Sequence, residues 1–92
     1  MKATAELQVV PIGVGVSVRE DVRKIVEIIN GYDFITETHA AGTNIEGDVD
    51  DILDALKKIH GVLHADGVTR LLSYLKLETR TDKIPTLAGK KL

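Results

Sequence analysis

Ile35-Thr36-Glu37-Thr38-His39-Ala40-Ala41-Gly42-Thr43-Asn44-Ile45-Glu46-Gly47 contains two short alternating runs joined by small residues, and its reading decides the fold. In the first run Phe34, Thr36 and Thr38 take one side, and Ile35, Glu37 and His39 the other. In the second, Ile45 stands opposite in face to Asn44 and Glu46. Period-two alternation of this kind marks half-buried strands, and the turn between them marks an antiparallel hairpin. A short loop places His39 across from Asn44 and Glu37 across from Glu46. Directly opposed like charges weaken a strand pair. A face that collects carboxylates, an amide and an imidazole therefore suits a ligand better than a core.

Working outward, the spacing predicts strands over residues 33–40 and 43–47. Upstream, Val18, Val22, Ile25, Val26 and Ile29 recur at helical spacing. Ser17 and Glu20 form a capping box at the start of that helix, and Asn30-Gly31 stops it. Before it, residues 3–10 alternate as a strand that Pro11, Gly13 and Gly15 terminate. Downstream, Asp48 or Asp50 caps a second helix whose stripe is Val49, Ile52, Leu53, Leu56, Ile59 and Leu63, closed by Asp66-Gly67. A long strand follows over residues 69–79, then a short tail in which Thr86 caps one last helical turn.

The order is βαββαβ. Right-handed crossovers convert it into an α+β ferredoxin-like sandwich, a four-stranded antiparallel sheet with two helices on one face. Strands one and three are central, two lies beside three, and four beside one. The whole chain, residues 1–92, forms a single domain. The uncovered face collects Thr4, Glu6, Gln8, Glu37, His39, Asn44 and Glu46, with Leu72, Tyr74 and Lys76 beside them. Crowded Glu6, Glu37 and Glu46 carboxylates would have raised pKa values unless a cation or donor-rich ligand offset them.

Composition narrows the function. A net charge of −2, with Lys57-Lys58 and Lys90-Lys91 short and separated, argues against a partner held by phosphate neutralisation. The strands that would meet RNA carry no aromatic residues for base stacking. With no cysteine, neither a disulfide nor a thiolate metal site exists. The amino-terminal residues meet Glu6 before any continuous apolar run, so neither a signal peptide nor a membrane span is expected, and a cytoplasmic protein is.

Several other groupings have plain explanations. His60 and His64 are four apart on a helix, but no third ligand accompanies them, and they read as surface histidines. The loop at 11–17 fails both common phosphate-loop patterns and reads as a tight connection. It also lacks the arginine that an acylphosphatase-like activity on this fold needs. Ser17 is accounted for by capping, and Ser73 faces the helices with no natural histidine partner. Catalysis is therefore not expected, and neither is a cofactor or a metal. Arg80, Asp82 and Lys83, with Leu72, are expected to reach a neighbouring subunit, because the fourth strand overhangs a short sheet.

Val9-Val10-Pro11-Ile12-Gly13-x-Gly15, Gly42-Thr43-Asn44-Ile45-Glu46-Gly47 and Arg80-Thr81-Asp82-Lys83 occur in this order, and together they resemble the thiamine-binding protein family of small ferredoxin-like proteins. The resemblance spans essentially the whole chain. It implies a cytoplasmic, non-catalytic protein that binds thiamine or its hydroxymethylpyrimidine portion near the interface of a dimer or tetramer. Thr43 and Glu46 occupy positions of the Gly-Thr-x-Ile-Glu-Gly pattern. Thiamine pairs an aminopyrimidine edge with a thiazolium cation. Glu46, Glu6 and Glu37 would supply charge and acceptors, Thr43, Asn44, His39 and Gln8 would orient the ring, and Tyr74 would offer a stacking face. The competing expectation is a regulatory or assembly module whose sheet face is an oligomer interface sensing another small metabolite.

Overall fold

The computed structural model describes residues 1–13, 15 and 19–91. In chain order they form β1 (Lys2–Ile12), α1 (Arg19–Asn30), β2 (Ile35–His39), β3 (Gly42–Asp48), α2 (Val49–Ala65) and β4 (Arg70–Thr79), then a 3-10 turn at Ala88–Lys90. The strands build one antiparallel sheet in the order β2-β3-β1-β4, the ferredoxin-like arrangement that the element order predicts.

Alternation along the central strands determines which face the helices cover. Ala3, Ala5 and Leu7 of β1 and Ile45 of β3 are buried in one cluster with Ile25 and Ile29 of α1 and Ile52, Ile59 and Leu63 of α2. Each buried Ile or Leu contributes about 1.5–3 kcal/mol relative to exposure. The helical stripes hold in outline. Ala55 joins the buried set, whereas Val22 and Leu53, at the stripe margins, remain 43% and 47% exposed. Ser17 and Val18, where the capping box and the start of the stripe were expected, lie outside the described residues.

Asp48, not Asp50, caps α2. One carboxylate oxygen accepts from the Asp50 N–H at 3.0 Å, and the other sits 3.2 Å from the Met1 ammonium. The amide hydrogen bond, helped by that ammonium, holds the Asp48 carboxyl below its ordinary pKa. At the far end Gly67, at φ +100°, donates its N–H to the His64 carbonyl at 3.1 Å, as the Asp66-Gly67 stop predicts. β1 runs past Pro11 to Ile12, two residues beyond the expected end. Its ladder with β3 ends at Leu7↔Thr43 while pairing with β4 continues, so beyond that point β1 has a flank on which a missing N–H costs nothing.

The hairpin register differs from expectation. Its loop is only Ala40-Ala41, with His39 opposite Gly42, Glu37 opposite Asn44 and Ile35 opposite Glu46. The slip is two residues, so every side chain keeps its face but changes its neighbour. The expected Glu37–Glu46 opposition does not occur.

Tyr32 ties the loop before β2 to α2. Its hydroxyl donates to Asp54 at 2.6 Å, and its ring stacks on Phe34 with centroids 5.1 Å apart. The hydrogen bond to Asp54, then burial and the carboxylate charge, push the phenol from 10.0 up to about 12. The folded state therefore holds this proton more tightly than the unfolded state. Its contribution is complete below pH 10 and is lost as pH rises toward 12. Thermal melts across that window are expected to fall more steeply for wild type than for Tyr32→Phe. Parallel curves would show that the phenol contributes nothing.

Candidate functional site

The face opposite the helices is laid out in rows that cross all four strands. The middle row reads Glu37 on β2, Asn44 on β3, Glu6 on β1 and Lys76 on β4. One pleat away lie Ile35, Glu46, Thr4 and Glu78. On the other side of the middle row stand His39 and Gly42, then the Gln8–Tyr74 pair. The acids thus alternate with Asn44 and Thr4 and do not oppose one another. This spacing separates like charges along the hydrogen-bonding direction.

Each of these acids has a donor or cation close by. Glu6 lies 3.4 Å from His39 Nε2 and 3.5 Å from Lys76 Nζ. Glu37 lies 3.0 Å from Lys91 Nζ. Glu46 accepts the Leu87 N–H at 2.7 Å, and Glu78 pairs with Lys90. The hydrogen bond from Lys90 holds the Glu78 carboxyl below the usual range. The expected clash of carboxylates is thus relieved from within the chain.

His39 is held at both ring nitrogens. Nδ1 accepts from the Ala41 N–H at 3.3 Å, which leaves Nε2 to carry the proton and donate to Asn44 Oδ1 at 3.2 Å. With Oδ1 engaged by His39, the Asn44 amide still has its own N–H donors to offer. An acceptor carboxylate on each side and an amide between them form a strip of donors and acceptors across three strands.

Three partners of these acids come from a segment the sequence did not place. After β4 the chain turns back across the open face, with Pro85 buried and Leu87 half-buried. Thr4 is only 4% exposed although no helix covers its face, consistent with this overlying segment. Thr86 Oγ1 accepts the Gly89 N–H at 3.0 Å, although the residue that immediately precedes the 3-10 turn is Leu87 and not Thr86. Between the segment and the sheet lies a cleft of about 430 Å³, lined by Thr4, Glu6, Glu37, Asn44, Lys76, Glu78, Leu87, Lys90 and Lys91, among others. That volume lies within the range of small-molecule sites, and charged side chains from three strands and the overlying segment border it.

Not all of the expected site residues meet there. Glu46 lines a neighbouring hollow of about 260 Å³ with Ile35, Ile84 and Pro85. Gln8 and Tyr74 form the outer row, with Tyr74 57% exposed. Thr43 is on the other side of the sheet. It is 7% exposed and lines a hollow of about 330 Å³ with Leu7, Ile25 and Ile29, a hollow whose rim also includes the expected site residues Gln8 and His39. Strand alternation requires this, since Thr43 shares a face with Ile45. Glu78, Lys90 and Lys91 are the residues that sequence reasoning missed. A signal was present in the parity of Glu78 with Lys76 and in a lysine pair following a tail with one proline.

Of the residues expected to reach another subunit, Arg80 donates through Nε to Asp82 at 2.8 Å within the same chain, while Lys83 and Leu72 are exposed. Contrary to expectation, Ser73 does have a histidine partner, the His60 Nε2. His60 reaches it because helix-facing Ser73 sits beneath α2, and the pair fastens that helix to β4. His64 Nδ1 donates to the Val68 carbonyl at 2.7 Å, so its ring caps the helix end. Among the described residues no group of three side chains could hold a metal ion. No helix there is long and apolar enough to cross a membrane.

Comparison with known proteins agrees with this architecture. The chain is 43% identical over 89 residues to the UPF0045 protein MJ1052 of Methanocaldococcus jannaschii, covering 97% of this chain and 88% of that one. The crystal structure of MJ1052 superposes with a TM-score of 0.89, covering 97% of this chain and 91% of that one at 42% identity. The UPF0045 protein sll0230 of Synechocystis is 40% identical over 90 residues, covering 98% of this chain and 74% of that one. A Thermotoga maritima protein named for a suspected part in thiamine biosynthesis or salvage shares the fold, with a TM-score of 0.85 at 23% identity over 98% of this chain and 95% of that one. Residues 5–91 match the family described as thiamine-binding protein. The chain belongs to the thiamine-binding protein family.

Proposed function

We propose that this is a non-catalytic cytoplasmic protein that binds thiamine or its hydroxymethylpyrimidine portion on the open sheet face, as a dimer or tetramer. The observation that carries the proposal is the Glu37–Asn44–Glu6 row beneath a cleft of about 430 Å³. An aminopyrimidine offers an exocyclic amine as donor and ring nitrogens as acceptors, which this strip complements. A thiazolium would sit among the same carboxylates, and the exposed Tyr74 ring in the adjoining row provides a cation–π surface worth about 0.5–1 kcal/mol. Family membership supports the ligand class.

Isothermal calorimetry with thiamine and with hydroxymethylpyrimidine tests this. Wild type is expected to bind at least one of them, and both Glu37→Gln and Asn44→Ala to weaken it by about tenfold, the loss of roughly one charged or buried hydrogen bond. Binding that ignores both substitutions moves the site elsewhere. Absence of heat with either ligand at millimolar protein overturns the proposal.

One observation favours the second reading, an assembly module. Leu72, Tyr74 and Ile84 are 43%, 57% and 70% exposed, and β4 presents an unpaired sheet edge of ten residues. Such an edge is a ready template for another chain. With Arg80 engaged by Asp82, Leu72 and Lys83 are the contacts this reading assigns to a second copy. Native mass spectrometry distinguishes the two, since a retained metabolite supports ligand binding and an oligomer without one supports assembly alone.

A further inference from the structure

We propose that Ile84–Lys91 is a displaceable wall of the sheet-face cleft, whose two lysines determine the charge of the ligand admitted. The proposal rests on the reading above that this cleft is the ligand site. Three carboxylates (Glu6, Glu37 and Glu78) and three ammonium groups (Lys76, Lys90 and Lys91) line the same space. With the segment seated, the cleft is neutral. Withdrawing Lys90 and Lys91 leaves it two negative charges in excess and frees one carboxylate on β2 and one on β4.

The segment is held where it can let go. Its lysine side chains remain 44% and 66% exposed, and exposed ion pairs contribute little once screened by solvent and salt. Ile84 is 70% exposed, leaving Pro85 as the one buried anchor. The Leu87 N–H bond to Glu46 is its one backbone tie to the sheet face among the described residues. Few buried contacts and solvent-facing hydrogen bonds are the marks of a locally opening unit. A cationic ligand therefore enters by taking Glu37 and Glu78 from the lysines. A neutral ligand shares the cleft with them.

Calorimetry on the full chain at pH 8 compares wild type with the Lys90→Gln/Lys91→Gln double variant, with thiamine as the cationic probe and hydroxymethylpyrimidine as the neutral one. Thiamine is expected to bind the double variant about three- to tenfold more tightly, with hydroxymethylpyrimidine changed by less than about twofold. Unchanged thiamine affinity, or an equal gain for both probes, overturns the proposal. If neither probe binds either protein, the ligand reading falls, and amide hydrogen exchange decides the segment's mobility without any ligand. The Leu87 and Lys90 amides are expected to exchange at least about tenfold faster than those of Ile45 and Ile52, and faster again in the double variant. Protection equal to the core's overturns the proposal on its own.

Discussion

Replacing Leu63 with alanine is expected to lower the free energy of unfolding by about 3–5 kcal/mol. Leu63 is 0% exposed and sits in the cluster where α2 meets the sheet. Alanine is a better helix former than leucine, so helix propensity does not add to the loss, and the cost is packing and cavity alone. A chain of 92 residues buries only about 60–65% of its unfolded surface, and small domains hold about 5–15 kcal/mol in reserve. One such cavity removes a large part of that reserve and lowers Tm by about 15–30 °C. Urea and thermal unfolding measure it, with Leu53→Ala as the control on the same helix. Leu53 is 47% exposed, and its truncation should cost under about 1 kcal/mol. Equal losses at the two positions would mean that the side chain facing the sheet is not Leu63.

Gly42→Ala is expected to cost about 2–4 kcal/mol. Gly42 has φ +155°, and a β-carbon there would come 2.6 Å from the Leu7 carbonyl oxygen. That oxygen belongs to the backbone of a central strand and cannot move aside without breaking the β1–β3 ladder. Gly47 provides the contrast. A β-carbon at Gly47 meets the Phe34 ring at 2.5 Å, but a ring can swing to another rotamer at a cost of about 1 kcal/mol. Denaturation of the two variants side by side should rank Gly42→Ala as the more damaging, and the reverse order would contradict the close approach at Leu7. Because Gly42 pairs with His39, the same substitution also moves the imidazole that positions Asn44.

Gly42 explains why sequence alone found the hairpin but misplaced its register. The pattern of Ile35, Glu37 and His39 against Asn44 and Glu46 correctly assigned faces, since alternation survives a two-residue slip. Where a two-residue loop falls depends on how closely two backbones approach, and that was decided at Gly42, where the absent side chain lets the strand start one residue early. Helix periodicity located Ile25, Ile29, Ile52, Ile59 and Leu63 because burial repeats every turn. It could not tell that Val22 and Leu53 lie at the margins, which depends on the helix's rotation against the sheet. The acids Glu6, Glu37 and Glu46 were legible as a group on one face. The segment from Ile84 to Lys91 was not, since its hold is one proline and a few pairings between residues far apart in sequence, and no periodic signal encodes that. Thr43 was assigned by motif, and strand alternation puts it on the face of Ile45, away from the cleft that Glu6, Glu37 and Asn44 line.

Ala3 lies directly across from Thr79 in the ladder, so the first and last strands are neighbours although nearly the whole chain separates them. β1 can take β3 as a partner once about half of the polypeptide exists, but its other flank stays open until β4 has been made. A chain emerging from the ribosome thus holds its central strand half-paired from the time β3 is made until β4 follows. Closure of so distant a pair places refolding toward the millisecond-to-second range rather than microseconds. The fourth strand to appear is the one that closes the pairing of the first.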